Sequence, residues 1–214
     1  MPGPLSGVIF IHNAFRNDLQ RSQSDIKFWA TLGDGDADLM ASNFAFLHES
    51  LALHEAAEEA VLFPAVNAIE AGKADVYIQA HRQIDPLRDG LLEALQAKNA
   101  DKAFDLIMEL KPLMDAHLTQ EESELLTWAD ENISFPDQGR LAGEMAGKIP
   151  PEKMGPMVPW MARLLSPADR EGVMRMWAVA LPEPAFAGIK KLVQGALRPE
   201  EWSDLTGRMP ELAS

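Results

Sequence analysis

The chain has no cysteine in its 214 residues. That one absence excludes disulfides, iron–sulfur clusters, thiolate zinc sites and cysteine nucleophiles together. Any transition metal must then be held by His, Asp, Glu or Tyr, a donor set that suits iron, manganese or zinc. Tyrosine is scarce as well, occurring once, at Tyr77. Basic residues are outnumbered, 19 Lys and Arg against 33 Asp and Glu, for a net charge of −14. They form no cluster. Such a surface repels phosphate backbones and anionic headgroups, so neither nucleic acid nor a membrane is expected as a partner. No apolar run is long enough to span a bilayer, and the N-terminal Met-Pro-Gly-Pro-Leu-Ser lacks the basic start of a secretory signal. A cytoplasmic protein is expected. Period-two alternation is missing too, which argues against a sheet.

What the chain does have is helical periodicity. Its apolar spacing predicts a first helix over about 6–31, a break at Gly33-Asp-Gly-Asp36, and a second helix over about 37–71. A third follows over about 74–97 and a fourth over about 102–132. Pro64 and Pro86 fall inside helices and are expected to kink or open them. The alternating Asp34, Asp36 and Asp38 suggest a calcium loop, but Leu39 and Ala45 stand where Gly and Glu are required. A solvated turn remains. Four long helices joined by short turns favour an all-α, antiparallel up-down-up-down four-helix bundle over residues 1–147.

Composition shifts near Gly147. The stretch Ile149-Pro-Pro-Glu-Lys-Met-Gly-Pro156 reads as a Pro/Gly linker. Ser166-Pro-Ala-Asp169 reads as a capping box opening a helix to about Ala180, with short helices over about 185–197 and 199–207 beyond it. Residues 148–214 are therefore expected to form a helical C-terminal extension packing on the bundle or on a partner. Its three tryptophans and six of the eleven methionines suit an apolar cap or a contact with a second copy in a homo-oligomer.

The chemistry sits in two His-x-x-x-Glu pairs, His54/Glu58 and His117/Glu121. Residues four apart share one helix face, so each pair stacks an imidazole on a carboxylate. His12 and His54 lie roughly 20 residues either side of the first turn, and His81 and His117 about 18 either side of the third. At a rise of about 1.5 Å per residue each pair reaches a common level. The match between the second and third helices is poorer, and Pro64 or an irregular connection must absorb the difference. Four imidazoles and two carboxylates at mid-height make a cage for two metals with bridging carboxylates. Tyr77 and Asp85 lie one turn to either side of His81, as further ligands or as partners that hold its ring. His48 points elsewhere and reads as a surface or outer-layer residue. Glu55, Glu59 and Glu122 read as solvated face, with Glu55 able to swing in as an extra ligand. The spacing is neither the His-Glu-x-x-His of zinc proteases nor the Glu-x-x-His of ferritin-like proteins.

These residues resemble the hemerythrin-like family of His-His-Glu cation-binding domains. The resemblance rests on His12-Asn-Ala-Phe-Arg16, His54-Glu55 with Glu58 and Leu62-Phe-Pro64, His81-Arg-Gln-Ile, and His117 with Glu121-Glu122. It implies a non-haem di-iron centre in which Glu58 and Glu121, with an oxo or hydroxo group, bridge two Fe ions. His12 and His54 would serve one iron, His81 and His117 the other. The oxygen-carrying members have a His pair where this chain has Tyr77 and His81, and an Asp five residues after the last His where it has Glu121 at four. That departure shifts the expectation from oxygen transport towards binding or reacting with a small ligand: O2, NO or H2O2. An iron- or oxygen-sensing module without turnover is the alternative. The tail, with Val158-Pro-Trp160-Met and the Trp177 helix, is similar to the extension in some bacterial members and in plant iron-regulating ubiquitin ligases.

Overall fold

In a computed structural model, which describes residues 3–213, every regular element is helical, and no strand occurs among the described residues. The N-terminal limit read for a targeting signal and the outer limits of the two expected domains fall on residues 1, 2 and 214, outside the described residues. No helix among the described residues is long and apolar enough to cross a membrane.

The chain divides into two compact units. The first comprises residues 3–6 and Asp18–Ile149; the second comprises Gly7–Asn17 and residues 150–213. Helix α1, Val8–Leu32, runs through the division. In the first unit it is followed by α2 (Ala37–Ala57), α3 (Phe63–Ile69), α4 (Asp75–Gln96), α5 (Ala100–Gln120), α6 (Leu126–Asn132) and α7 (Phe135–Ala146). Helix α4 packs against both α2 and α5. The boundaries have local causes. Gly33 (φ +69) and Gly72 (φ +80) supply left-handed backbone after helix ends, a conformation glycine adopts without strain. Asp36 caps α2 by accepting from Leu39 N–H, and Asn99 caps α5 by accepting from Lys102 N–H.

Two joints in this unit are wider than an α-helix. Between α2 and α3, Glu58–Leu62 forms a π-helical turn in which Phe63 N–H donates to the Glu58 carbonyl. Between α5 and α6, Glu121–Leu125 does the same, with Leu126 N–H donating to the Glu121 carbonyl. Pro64 lies two residues past the end of the first, where its missing N–H and bulky ring suit a widened turn. No proline follows the second, so proline is not the common cause. Both turns begin at the carboxylate of a His-x-x-x-Glu pair, and π turns concentrate at functional sites. Pro86, by contrast, sits within α4 without ending it.

Two expectations about the region after the fourth helix need correction. Phe135–Ala146 is a helix that the sequence reading missed, although Ser134-Phe-Pro-Asp137 carries the same start signal as Ser166-Pro-Ala-Asp169: the Ser134 hydroxyl accepts from Asp137 N–H. Helix α7 packs against the π turn that carries Glu58. The supposed linker is also helical, since α8 starts at Pro151 and runs to Leu164. A proline at the first helical position has no N–H to lose there and comes with φ already near the helical value. Only Gly147–Pro150 is left as the connection.

The second unit contains α8, α9 (Pro167–Ala180), α10 (Glu183–Ala196) and α11 (Pro199–Arg208), together with the first turns of α1. Val158, Met174, Val193, Leu205, Met209 and Leu212 share one apolar core. Phe15 of α1 packs on Trp160 at 5.7 Å between ring centres, and Asn17 Nδ2 donates to the Leu164 carbonyl at 2.8 Å. Buried Arg170 closes the end of α8, donating to the carbonyls of Ala162 and Leu165, acceptors that a helix end leaves without intrahelical partners. Ser166 starts α9 as expected, accepting from Asp169 N–H. Replacing Ser166 with Ala is expected to cost about 1 kcal/mol, read as a lower midpoint in urea unfolding; an unchanged midpoint would show that the cap is dispensable.

Candidate metal centre

Within the first unit, five of the sequence-selected residues meet in a buried cluster. His54 lies in the last turn of α2 and Glu58 opens the following π turn. His81 is on α4, His117 lies in the last turn of α5, and Glu121 opens the second π turn. All five are buried, His81 completely and both carboxylates to 1% exposure. The expected i, i+4 contacts form: His54 Nε2 lies 3.3 Å from Glu58 Oε1, and His117 Nε2 lies 3.5 Å from Glu121 Oε1. Contacts also cross between helices. Glu58 turns its second oxygen towards His81 Nε2 at 3.7 Å, and His81 Nε2 lies 3.1 Å from His117 Nε2. One donor atom from each of His81, His117 and Glu121 falls within 4.8 Å of the others, and the same holds for His54, Glu58 and Glu121. Glu121 belongs to both sets. His12, the sixth residue of the reading, lies buried in the first turns of α1, in the second unit.

The electrostatics of the cluster suit a cation. Burial pushes the Glu58 carboxyl well above its ordinary range, and the charges of Glu121, Glu55 and Glu59 push it further. Glu121 is raised in the same way, by burial first and then by Glu55 and Glu122. Glu58 Oε2 makes no hydrogen bond. A buried carboxylate oxygen without a donor is costly, and a positive ion between the two carboxylates removes that cost. Burial also holds the His81 imidazole below its ordinary value, although Glu59 pulls it up, so the ring is neutral at pH 7, as a metal ligand must be. With nitrogen and oxygen donors only, the residues fit a hard or borderline cation of the iron, manganese and zinc type.

Two carboxylates read as solvated face are not solvated in that sense. Glu59 accepts from His81 Nδ1–H at 3.0 Å and is itself held by Arg82 at 2.7 Å. This fixes the tautomer of His81 and turns the Nε2 lone pair into the cluster. Burial tends to raise Glu59, but the hydrogen bonds from Arg82 and His81 outweigh it and leave its carboxyl below the ordinary value. Glu55 is buried and paired with Arg88. The sequence offered one signal for these partners: an arginine follows His81 directly and another lies seven residues on.

The remaining candidates sit at the edge. Tyr77 is buried and stacks on Phe63 at 6.0 Å, and Phe63 also packs on the His81 ring at 5.6 Å. Burial, with the charges of Glu124 and Glu121, pushes its hydroxyl up to about 12, so it is a neutral phenol. Asp85 faces the guanidinium groups of Arg88 and Arg82. His48, half-buried, is 2.7 Å from Asp89, away from the cluster, as its helical phase implied.

Comparison with known proteins points the same way. The zinc finger protein BRUTUS-like of Arabidopsis thaliana is 26% identical over 188 residues, covering 84% of this chain and 15% of that protein. Zinc finger protein BRUTUS of the same plant is 28% identical over 87 residues, 41% of this chain and 7% of its own length. The chain thus spans only a small part of these curated relatives. No solved structure matches it. Residues 8–129 match the hemerythrin HHE cation-binding domain, more than half of the chain and a span that takes in all six His and Glu residues read as ligands, and the chain belongs to that family.

Proposed function

We propose that this protein is a non-haem di-iron protein of the hemerythrin type whose metal pair binds or reacts with a small oxidant or diatomic: O2, NO or H2O2. The observation that carries the reading is Glu58, a fully buried carboxylate with one oxygen towards His54 and the other towards His81, on different helices. Glu58 and Glu121 are the bridging ligands, with His54, His81, His117 and, on the family's pattern, His12 as terminal ones. Tyr77, Glu55 and Asp85 are the reserve positions around them. The helices that carry these residues are taken to run antiparallel, up-down-up-down, as a four-helix bundle. When bound, an iron pair supplies electrons and an open coordination position. The chain's part is to keep water out, to aim His81 through Glu59, and to hold two carboxylates ionised where burial opposes it.

A second reading, an iron- or oxygen-sensing module, is favoured by one finding. The similarity to the BRUTUS-like protein is longer than the matched family domain, so it takes in part of the chain outside the site, and there it forms a minor part of a far larger protein. A module whose loading state is reported by its tail fits that context.

The first test is metal content per chain with the optical spectrum of the same sample. About two irons with near-ultraviolet bridge bands are expected, and a visible phenolate band would make Tyr77 a ligand. No stoichiometric metal after anaerobic ferrous loading would overturn the di-iron reading. Repeated turnover with a reductant or peroxide then selects the reactive protein, and a spectral change without turnover selects the sensor.

A further inference from the structure

Arg88, on α4, is the one arginine buried beside the cluster, and it faces two carboxylates at once. Its Nη1 donates to Glu55 Oε2, and its Nη2 donates to Asp85 Oδ1 at 2.5 Å. The two acceptors differ in setting. Glu55 is 6% exposed and its other oxygen, Oε1, makes no hydrogen bond. Asp85 has a side chain 31% exposed and also meets Arg82 at 3.6 Å. Arg88 Nε makes no hydrogen bond either, so no third partner locks the guanidinium in place.

Glu55 stands between His54 and Glu58, one helical turn from Glu58 on the same flank. Its charge adds to the burial that raises the carboxyls of Glu58 and Glu121. Without metal, three buried carboxylates share that region and Arg88 is their buried guanidinium counter-charge. With metal, the balance reverses: the cations attract Glu55 and repel the guanidinium, while Asp85 offers Arg88 an acceptor close to solvent at a smaller desolvation cost.

Resting on the di-metal reading above, we propose that Arg88 is a latch on metal loading, which holds Glu55 away from the metals in the metal-free protein and is kept by Asp85 alone when Glu55 turns to a metal. Arg88 acts through Glu55 and is a positioning residue. A fixed ion pair that merely ties α2 to α4 makes a different forecast, because it acts on the metals only through its charges and is indifferent to the reach of Glu55.

The test is the rate at which iron-loaded protein gives up iron to an excess of ferrous chelator, compared across four variants. Glu55→Gln weakens the arm that grips the metal, so release is expected to be faster. Arg88→Met frees Glu55 for the metal, so release is expected to be slower. Asp85→Asn takes away the alternative seat of Arg88, so release is expected to be faster. Each change is expected to be about tenfold, the scale at which partners behind metal ligands act. Through-space charge alone gives opposite signs to the Glu55→Gln and Arg88→Met pair, so a fourth variant decides: Glu55→Asp keeps the charge and shortens the arm, release about as fast as in Glu55→Gln supports the latch, and the wild-type rate overturns it. Equal rates, or changes of one sign in that pair, overturn the latch. Should Arg88→Met not fold, the charge-conserving Glu55→Asp decides alone: faster release supports the latch and an unchanged rate overturns it. If the wild type takes up no iron, the di-metal reading fails and the latch with it. If the wild type holds iron and the variants release it alike, only the latch fails.

Discussion

Glu58→Gln is expected to abolish stoichiometric metal binding while making the metal-free protein more stable at pH 7. The two effects have one cause. Burial lifts the Glu58 carboxyl well above its ordinary 4.5, and Glu121, Glu55 and Glu59 lift it further. Each unit of such a shift is about 1.4 kcal/mol of cost in keeping the group ionised. An amide of the same shape carries no such cost, so a gain on the order of 1 kcal/mol or more is expected in urea unfolding of the metal-free form. The amide is also a poor bridging ligand, and metal affinity should fall by more than the roughly tenfold to hundredfold attached to outer partners. The pH dependence gives a sharper check. A carboxyl whose folded pKa is raised contributes stability that is full below 4.5 and is lost as pH climbs towards the folded value. Metal-free wild type and Glu58→Gln should therefore differ at pH 7 and converge as pH falls towards 4.5. If the variant is less stable and still holds metal, Glu58 is an ordinary buried hydrogen-bonding residue.

Removing the metal from loaded wild type is expected to have the largest effect on stability. A ligand present at a thousand times its dissociation constant adds about 4 kcal/mol, which for a chain of this size is about 10 °C in unfolding midpoint. That gain should grow with pH, because metal binding needs ionised Glu58 and Glu121 and neutral imidazoles. The metal-free protein runs the other way: Glu58 and Glu121 contribute less as pH rises above 4.5, and Glu55, raised to about 7 by burial against the pull of Arg88, does so between 4.5 and about 7. His81 offsets part of this below its ordinary 6.5, since an imidazole held below that value adds stability as pH rises. Calorimetry of metal-free and iron-loaded protein at pH 5 and pH 8 checks both slopes. A loading gain that shrinks as pH rises would mean that these carboxylates are not the ligands.

How much of this was legible in the chain depends on the range of the interaction. Helix caps are local: Ser166 marked its helix correctly, and Asp36 and Asn99, read only as turn residues, cap theirs in the same way, because a side chain reaches an N–H three residues ahead. The two His-x-x-x-Glu pairs are local as well: helical geometry alone puts His54 on Glu58 and His117 on Glu121. The first turns of α7 and α8 carried the same local signals, Ser134 with Asp137 and Pro151 at a helix start, but the first went unread and the prolines and glycine around the second made it read as linker.

The sequence by itself therefore determined an all-helical chain without thiol chemistry and the two imidazole–carboxylate pairs. Only the tertiary structure decided which flank of each helix is wet. Glu55 and Glu59 look like exposed helix residues until α4 lies alongside, because their partners Arg88 and His81 are 33 and 22 residues away. Nor does any short stretch announce the π turns at Glu58 and Glu121. A turn of that width is weak in isolation, and it persists where packing and the demands of a buried site hold it.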